Sequence, residues 1–334
     1  MVMSTPAPGT AAPGVSVIMP ALNEEHHLAD SVTAILASEY AGPIEVVLAL
    51  GPSQDATDKV AHELAATHPA ITLVDNPSGR TSAGLNAAID AARHDIIIRV
   101  DGHALIPADY VATAVRTLED TGADNVGGIM GAEGDSDFER AVAAAMTSWF
   151  GVGGAAFHIG GHAGPALTVY LGCFQRSALE RVGGFDESMV RAQDWELNHR
   201  IRATGGEVWF TPELHVTYRP RSSVKALARQ YFQYGRWRRE VTRRHPETIS
   251  VRYLAAPATV AGVAIGAVIG VIGSATRHRR LAALGWAAPM GYTLGNLAAS
   301  AWIGRGESTA VRVRIPAALA TMHLAWGAGF LRGA

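Results

Sequence analysis

The chain has 334 residues, enough to bury one catalytic core with length to spare. Its net charge of -2 leaves no global footprint for nucleic acid, and its 17% charged content is sparse beside the roughly 25% of ordinary soluble domains. A single cysteine, Cys173, excludes an internal disulfide framework, fits a reducing compartment and reads as a small buried residue without chemistry of its own.

Residues 1–14 are rich in Pro, Ala and Gly, with neither a basic leader nor an apolar stretch, and read as a disordered tail and not a signal peptide. The domain that follows is therefore expected to stay in the cytosol. Val15–Met19 predicts a first strand ended by Pro20, and Asn23 a cap for a helix whose inner face carries Leu28, Val32, Ile35 and Leu36. Ile44–Leu48 predicts a second strand, followed by a turn over Gly51–Asp55 and a helix with Val60 and Leu64. Ile71–Val74 is a third strand, Ser82–Ala92 a helix, and Ile96–Val100 a fourth strand. Four strand–helix alternations predict an α/β domain over residues 15–217, with a mostly parallel sheet and helices on both faces. Ligands of such sheets sit beyond the carboxyl ends of the strands, where the polar clusters at 20–25, 51–58 and 101–103 fall.

Residues 218–253 change character. Ten basic residues from Arg219 to Arg252 face two acids, Glu240 and Glu247, with Leu227, Tyr231, Tyr234 and Trp237 interleaved. The pattern predicts a basic amphipathic helix on an anionic membrane face, or a solvated charged helix. Over residues 254–331 three apolar runs follow, Leu254–Gly273, Leu281–Ile303 and Ile315–Leu331, each near the roughly 20 residues of a span. Gly262, Gly266 and Gly270 recur every fourth residue and predict a smooth face for close helix packing. These runs predict a C-terminal helical membrane region of two to three helices. The arginines before it favour a cytoplasmic enzyme side, whereas Arg277, Arg279 and Arg280 between the first two runs leave the topology open.

Three clusters carry chemistry. Asp101-Gly102-His103 follows a buried strand and places a carboxylate and an imidazole where both can face one divalent ion, Mn²⁺ or Mg²⁺. Alone the tripeptide serves equally as a strand-end turn with a capping aspartate. Gln193-Asp194-Trp195-Glu196-Leu197 opens a helix, and a carboxylate there suits either a proton acceptor for a hydroxyl nucleophile or an ordinary acidic first turn. Gln233, Arg236 and Trp237 share a helical face that suits a sugar or diphosphate, or else belongs to the membrane-surface helix. The glycine-rich stretch Gly151–Gly172 predicts a flexible loop, whose glycines argue against a helical metal pair of His158 and His162.

In this order and spacing, the Pro20–Glu25 turn, the Gly51–Thr57 loop, Asn76–Asn86, Asp101–His103, Gln193–Leu197 and Gln233–Trp237 resemble the processive-type family 2 inverting glycosyltransferases. Within them the succinoglycan-type exopolysaccharide transferases look nearest, and the resemblance covers residues 15–245. It implies a GT-A fold, Rossmann-like, and single displacement at the anomeric carbon. By position Pro20, Ala21, Asn23 and Glu24 would border the nucleotide, Asp55 the base, and Arg80 the diphosphate or open surface. Asp101 and His103 match the metal-binding motif, Asp101 also meeting the donor; Asp194 matches the catalytic base, and Gln233, Arg236 and Trp237 the acceptor or diphosphate segment.

Three departures stand out. His103 replaces a second aspartate, Leu50 an acid before the turn, and Gln193 a glutamate, the last removing a like charge and predicting a more easily ionised Asp194. The expected activity is transfer from a nucleotide-sugar, first among them a UDP-sugar, to a lipid-linked or polysaccharide hydroxyl at the inner or plasma membrane, with the catalytic domain cytoplasmic. The alternatives are a polyprenyl-phosphate glycosyl synthase and an inactive sugar-nucleotide-binding subunit of a membrane assembly.

Overall fold

The computed structural model describes residues 11–333, so the first ten residues of the expected tail lie outside the described residues. The strands are β1 (Val15–Ala21), β2 (Ile44–Leu50), β3 (Ile71–Asp75), β4 (Ile96–Arg99), β5 (Asn125–Ala132), β6 (Gly164–Pro165), β7 (Tyr170–Gln175) and β8 (Val208–Tyr218). Helices α1 (Leu28–Leu36), α2 (Thr57–Thr67), α3 (Thr81–Ala91) and α4 (Tyr110–Thr121) alternate with the first strands. Next come α5 (Asp137–Met146), α6 (Trp149–Val152), α7 (Ala156–Ile159), α8 (Arg176–Val182) and α9 (Gln193–Ala203). The chain closes with α10 (Val224–Arg244), α11 (Val251–Ala275), α12 (Arg279–Ile303), α13 (Thr309–Arg312) and α14 (Ile315–Arg332).

Two compact units result: one runs to Met130 and resumes over Gly161–Thr217, and the other joins Gly131–Gly160 to the chain from Tyr218 onward. The first holds the eight-stranded sheet, in the order β3-β2-β1-β4-β7-β5-β8-β6. β1 pairs parallel with β2 and β4, and β2 with β3. β7 then runs antiparallel to both β4 and β5, making the sheet mixed beyond its parallel half.

Side-chain alternation along the strands builds two buried faces. Val15, Val17 and Met19 of β1, Val46 and Leu48 of β2, and Ile96 and Ile98 of β4 join one core with Leu28, Val32 and Ile35 of α1, Ala61 of α2 and Tyr110, Val111 and Leu118 of α4. The intervening Ile18, Val47, Ala49 and Ile97 are buried on the other side, as are Leu85 and Ala88 of α3. Each such fully buried aliphatic side chain contributes about 1.5–3 kcal/mol. Cys173 is enclosed in β7, where burial pushes its thiol far up, consistent with a packing role.

The second unit is helical. α10 lies against α14 at near backbone contact: a Cβ on Gly235 would sit 1.9 Å from the Trp326 carbonyl, and one on Gly329 2.0 Å from that of Phe232. Leu227 and Tyr231, expected to face a membrane surface, are buried. Several arginines of α10 have structural partners instead. Arg236 Nε donates to the Gly333 carbonyl at 2.8 Å, and Arg239 Nη1 to those of Phe330 and Leu331 at 3.0 and 2.5 Å, satisfying carbonyls left open at the end of α14. α11 and α12 form a hairpin in which Gly270 and Gly285 allow close approach, since a Cβ on Gly285 would lie 2.1 Å from the Gly270 amide nitrogen. Of the three predicted glycines Gly266 and Gly270 take part, whereas Gly262 faces open space.

Three helices thus cover the three apolar runs. Among the described residues one of them, α11, is long and apolar enough to cross a membrane, with mean hydropathy 2.1. The Gly151–Gly172 stretch is less open than its glycines suggest, for α6 and α7 are single helical turns within it. Gly160 ends α7, so no helix carries His158 and His162 together.

Candidate active site

All loops at the carboxyl ends of the parallel strands gather at one edge of the sheet, because Ala21 pairs with Leu50 and Leu50 with Asp75. The chain leaves β1 through Pro20 and Ala21 and turns sharply at Asn23, whose φ is 58°. Asn23 is therefore not a helix cap. α1 starts later, after His27, and the Asn23 Oδ1 accepts from the Gln54 amide at 2.8 Å instead. The Glu24 amide donates to Thr57 Oγ1 at 2.7 Å and the Glu25 amide to Asp55 Oδ2 at 3.3 Å. Asp55 Oδ1 accepts from the Thr57 hydroxyl and amide at 2.5 and 3.0 Å. The Thr57 hydroxyl is the main cause holding the Asp55 carboxyl below the ordinary aspartate range. Asp55 therefore staples the two loops, with both oxygens engaged. Arg80 is exposed at the start of α3, where its Nη1 donates to the Glu187 carbonyl at 3.4 Å.

The centre of the site is Arg99, the last residue of β4, 5% exposed. Its Nε and Nη2 donate to Asp101 Oδ1 at 3.0 and 2.7 Å, and its Nη1 donates to Asp194 Oδ1. One guanidinium thus occupies one oxygen of each carboxylate, while among the described residues neither Asp101 Oδ2 nor Asp194 Oδ2 accepts a hydrogen bond. Arg99 was not singled out from the sequence. The available signal was a lone charge inside an apolar strand, since a buried guanidinium requires carboxylate partners.

The two acids respond differently to this arrangement. Burial alone would raise Asp101, but the charge and hydrogen bonds of Arg99 outweigh it and hold the carboxyl below the ordinary range. Asp194 is raised, first by withdrawal from water and then by the charge of Asp101, with Arg99 offsetting part of both. This corrects the expectation of an easily ionised Asp194. The missing like charge at Gln193 matters less than Asp101, which the fold brings alongside. Asp194 keeps 42% side-chain exposure, so it remains open to an incoming group.

Gly102 is buried, its carbonyl accepts from Ser31 Oγ at 3.1 Å, and a Cβ there would press to 3.1 Å from the Glu24 side chain. That close approach lets Glu24 Oε1 reach His103 Nδ1 at 2.8 Å. An ionised carboxylate can only accept, so this contact places a proton on Nδ1. A carboxylate and an imidazole oriented by a second carboxylate form a donor set that fits Mn²⁺ or Mg²⁺.

α9 is fixed behind Asp194. Glu196 is buried and paired with Arg200, at 2.8 Å through Nε and through Nη2, and Arg200 also donates to the Val182 and Gly184 carbonyls at 2.5 and 2.8 Å. Trp195 stacks on His199 with ring centroids 5.7 Å apart. The structure thus brings Glu24, Asp101, His103 and Asp194 together in the first unit. Gln233, Arg236 and Trp237 lie on α10 of the second unit, sharing one helical stripe.

The chain matches the family described as glycosyltransferase like family 2 over residues 13–239. It is 32% identical over 320 residues to the succinoglycan biosynthesis protein ExoA of Rhizobium meliloti (strain 1021), covering 95% of this chain and 93% of that protein. It is also 25% identical over 230 residues to the dolichyl N-acetyl-alpha-D-glucosaminyl phosphate 3-beta-D-2,3-diacetamido-2,3-dideoxy-beta-D-glucuronosyltransferase of Methanococcus voltae, covering 66% of this chain and 71% of that protein. Among solved structures, the mannosyltransferase PcManGT from Pyrobaculum calidifontis, in complex with GDP-Man and Mn²⁺, superposes with a TM-score of 0.59 at 23% identity, covering 98% of this chain and 90% of that one. That likeness is one of fold.

Proposed function

Since the chain belongs to glycosyltransferase family 2 and has its GT-A fold, we propose that it is a metal-dependent, inverting, membrane-attached enzyme that moves a sugar from a nucleotide-sugar to a hydroxyl of a lipid-linked or polysaccharide acceptor. The observation that carries the reading is the bridge from Arg99 to both Asp101 and Asp194, which links residues from two distant segments in one small site.

Asp194 is the base. Its Oδ2 is unengaged and its side chain partly exposed, so it can take the proton of an acceptor hydroxyl as that oxygen attacks the anomeric carbon. A carboxyl raised above the ordinary aspartate range is better matched to that proton than a strongly depressed one. Arg99 holds the carboxylate in place through its other oxygen. Asp101 and His103 would hold a divalent ion, with Glu24 setting the imidazole tautomer. Such an ion supplies charge neutralisation at the departing nucleoside diphosphate. The Pro20–Glu24 turn borders the donor, with Asp55 shaping that turn and Arg80 standing at its rim. Gln233, Arg236 and Trp237 serve the acceptor or diphosphate.

By domain, residues 15–217 are catalytic, 218–253 an interface segment and 254–331 the membrane region, with the catalytic part cytoplasmic at the inner or plasma membrane. The apolar helix α11 and the name of the Rhizobium relative, a protein of succinoglycan biosynthesis, support this assignment. The donor is a nucleotide-sugar; UDP- and GDP-sugars both remain candidates, the latter because the Pyrobaculum enzyme was solved with GDP-Man.

The test is a panel of UDP-, GDP- and dTDP-sugars offered to membranes containing the chain, with and without Mn²⁺. Metal-dependent formation of a glycosidic bond, lost in Asp194→Asn while donor binding persists, is expected. Full turnover by that variant removes Asp194 from the role, and a sugar–lipid monophosphate product would favour a polyprenyl-phosphate synthase. No transfer or hydrolysis of any donor would leave a binding subunit.

A further inference from the structure

At the end of α12 the helical unit holds a cleft of about 420 Å³ lined by Leu297, Ser300, Ala301, Arg305, Arg312 and Pro316. Its two arginines have no carboxylate partner among the described residues, unlike Arg314 close by, which lies 3.8 Å from Asp137. Arg312 is held by its neighbours, Nε donating to the Gly304 carbonyl at 2.5 Å and Nη2 to that of Arg305 at 3.0 Å, which leaves Nη1 uncommitted. The Arg305 Cζ lies over the Trp302 ring, 3.8 Å from its centroid, and its N–H groups donate to nothing among the described residues. Two unneutralised guanidiniums lining one cleft with no acid make a site that favours an anion, and their forked N–H groups match phosphate oxygens.

The remaining walls narrow the choice of anion. Apart from Ser300, whose hydroxyl donates to Asn296 Oδ1 at 3.3 Å, they are Leu297, Ala301 and Pro316, apolar surface from which a free inorganic ion gains nothing. The surface continues up α12, where Leu294 is 63% and Leu297 50% exposed, an apolar track for a hydrocarbon chain. Trp302, 60% exposed, stands beside Arg305 as such rings do at a membrane–water boundary. α11 and α12 form a hairpin, so the cleft lies at the same end as Val251, where the chain enters from the basic helix α10. That is the face expected to meet the cytoplasmic leaflet, where anionic lipids concentrate.

We propose that this cleft binds an anionic phospholipid, its phosphate between Arg305 and Arg312 and an acyl chain along Leu297 and Leu294. The site rests on the reading of the helical unit as membrane-attached. It anchors the end of the α11–α12 hairpin at the leaflet surface.

The test uses the full chain purified in mild detergent, titrated separately with phosphatidylglycerol, phosphatidylcholine, undecaprenyl phosphate and inorganic phosphate, with bound species counted by native mass spectrometry. Wild type is expected to retain phosphatidylglycerol at least about tenfold more tightly than phosphatidylcholine. Arg305→Gln, whose guanidinium supports no backbone group, should abolish that preference without changing the thermal midpoint, and Arg312→Gln should do the same where it folds. Arg279→Gln with Arg280→Gln, at the far end of α12, should retain the preference. An unchanged preference in Arg305→Gln overturns the site, as does an equal loss in the Arg279/Arg280 pair. Displacement of phosphatidylglycerol by equimolar undecaprenyl phosphate, or binding of inorganic phosphate alone, overturns the phospholipid as occupant. A wild-type chain that stays monodisperse without detergent fails differently, by removing membrane attachment itself.

Discussion

Arg99 and Asp194 are joined by a charged hydrogen bond that ties the end of β4 to the first turn of α9. Because the same guanidinium also grips Asp101, the distance between the two acids is set by one planar group. A lysine at this position would keep the charge and lose the fork. Arg99→Lys is therefore expected to lower kcat by about 100-fold or more with donor KM changed less than about threefold, because a misplaced base affects the transition state more than donor binding. Steady-state kinetics with the active donor measure both. Equal kcat in the variant would show that the fork does not position the base.

Metal binding should follow the donor set and not activity alone. Asp101→Asn and His103→Ala should each weaken Mn²⁺ binding, read by electron paramagnetic resonance without any sugar donor. Glu24→Gln, which alters only the acceptor of His103 Nδ1, should weaken it by roughly 10–100-fold. Unchanged Mn²⁺ affinity in Glu24→Gln would mean that the imidazole is not oriented through this contact.

Glu45 offers a pH-dependent test of stability. Its side chain is 2% exposed, with Oε1 accepting from Ser16 Oγ at 2.5 Å and the Arg93 amide at 2.6 Å, and Oε2 from Arg93 Nε at 2.5 Å. Burial alone would raise its carboxyl, yet the contacts with Ser16 and Arg93 outweigh burial and hold it below the ordinary glutamate range. The folded state thus releases this proton more readily than the unfolded state. The resulting stabilisation is complete above the unfolded pKa of about 4.3 and fades as pH falls through the lower folded value. Glu45→Gln should be destabilised by about 1–3 kcal/mol at neutral pH, with the gap to wild type closing below about pH 4. Thermal midpoints across that range decide it, and a gap independent of pH would contradict the assignment.

The contact of α10 with α14 at Gly235 leaves no room for a side chain. Gly235→Leu should force the helices apart and lower stability by about 1–3 kcal/mol or more. The comparison is with Gly262→Leu, which faces open space, in detergent thermal melts. Equal midpoints for the two variants would show that the pair is not tightly packed.

Much of the first unit was legible because its parallel strands are short apolar runs and its turns carry Pro, Gly, Asn and Asp. Asp101, His103 and Asp194 could be picked out as residue types suited to chemistry at element ends. Arg99 could not be, since nothing local tells a buried, paired arginine from a solvated one. The antiparallel half of the sheet was also missed. β5 contains Gly127 and Gly128, and β8 sets Pro212, Glu213 and His215 among its apolar residues, so neither reads as a simple apolar run. In α10 the basic aromatic pattern suggested a membrane surface, whereas Gly235 and the open carbonyls of α14 give that helix a protein partner.

The sequence by itself determined the class of architecture and the family, and it put forward the candidate reactive groups, because strand and helix patterns, turn chemistry and ordered motifs are local properties. Tertiary structure alone decided what those groups do to one another. Folding sets Asp101 beside Asp194 with a single guanidinium between them; withdrawal from water, with the charge of Asp101, raises Asp194, while the charge and hydrogen bonds of Arg99 hold Asp101 down. Proton affinities of this kind depend on distance and on access to water, which residue order does not encode in any readable local pattern.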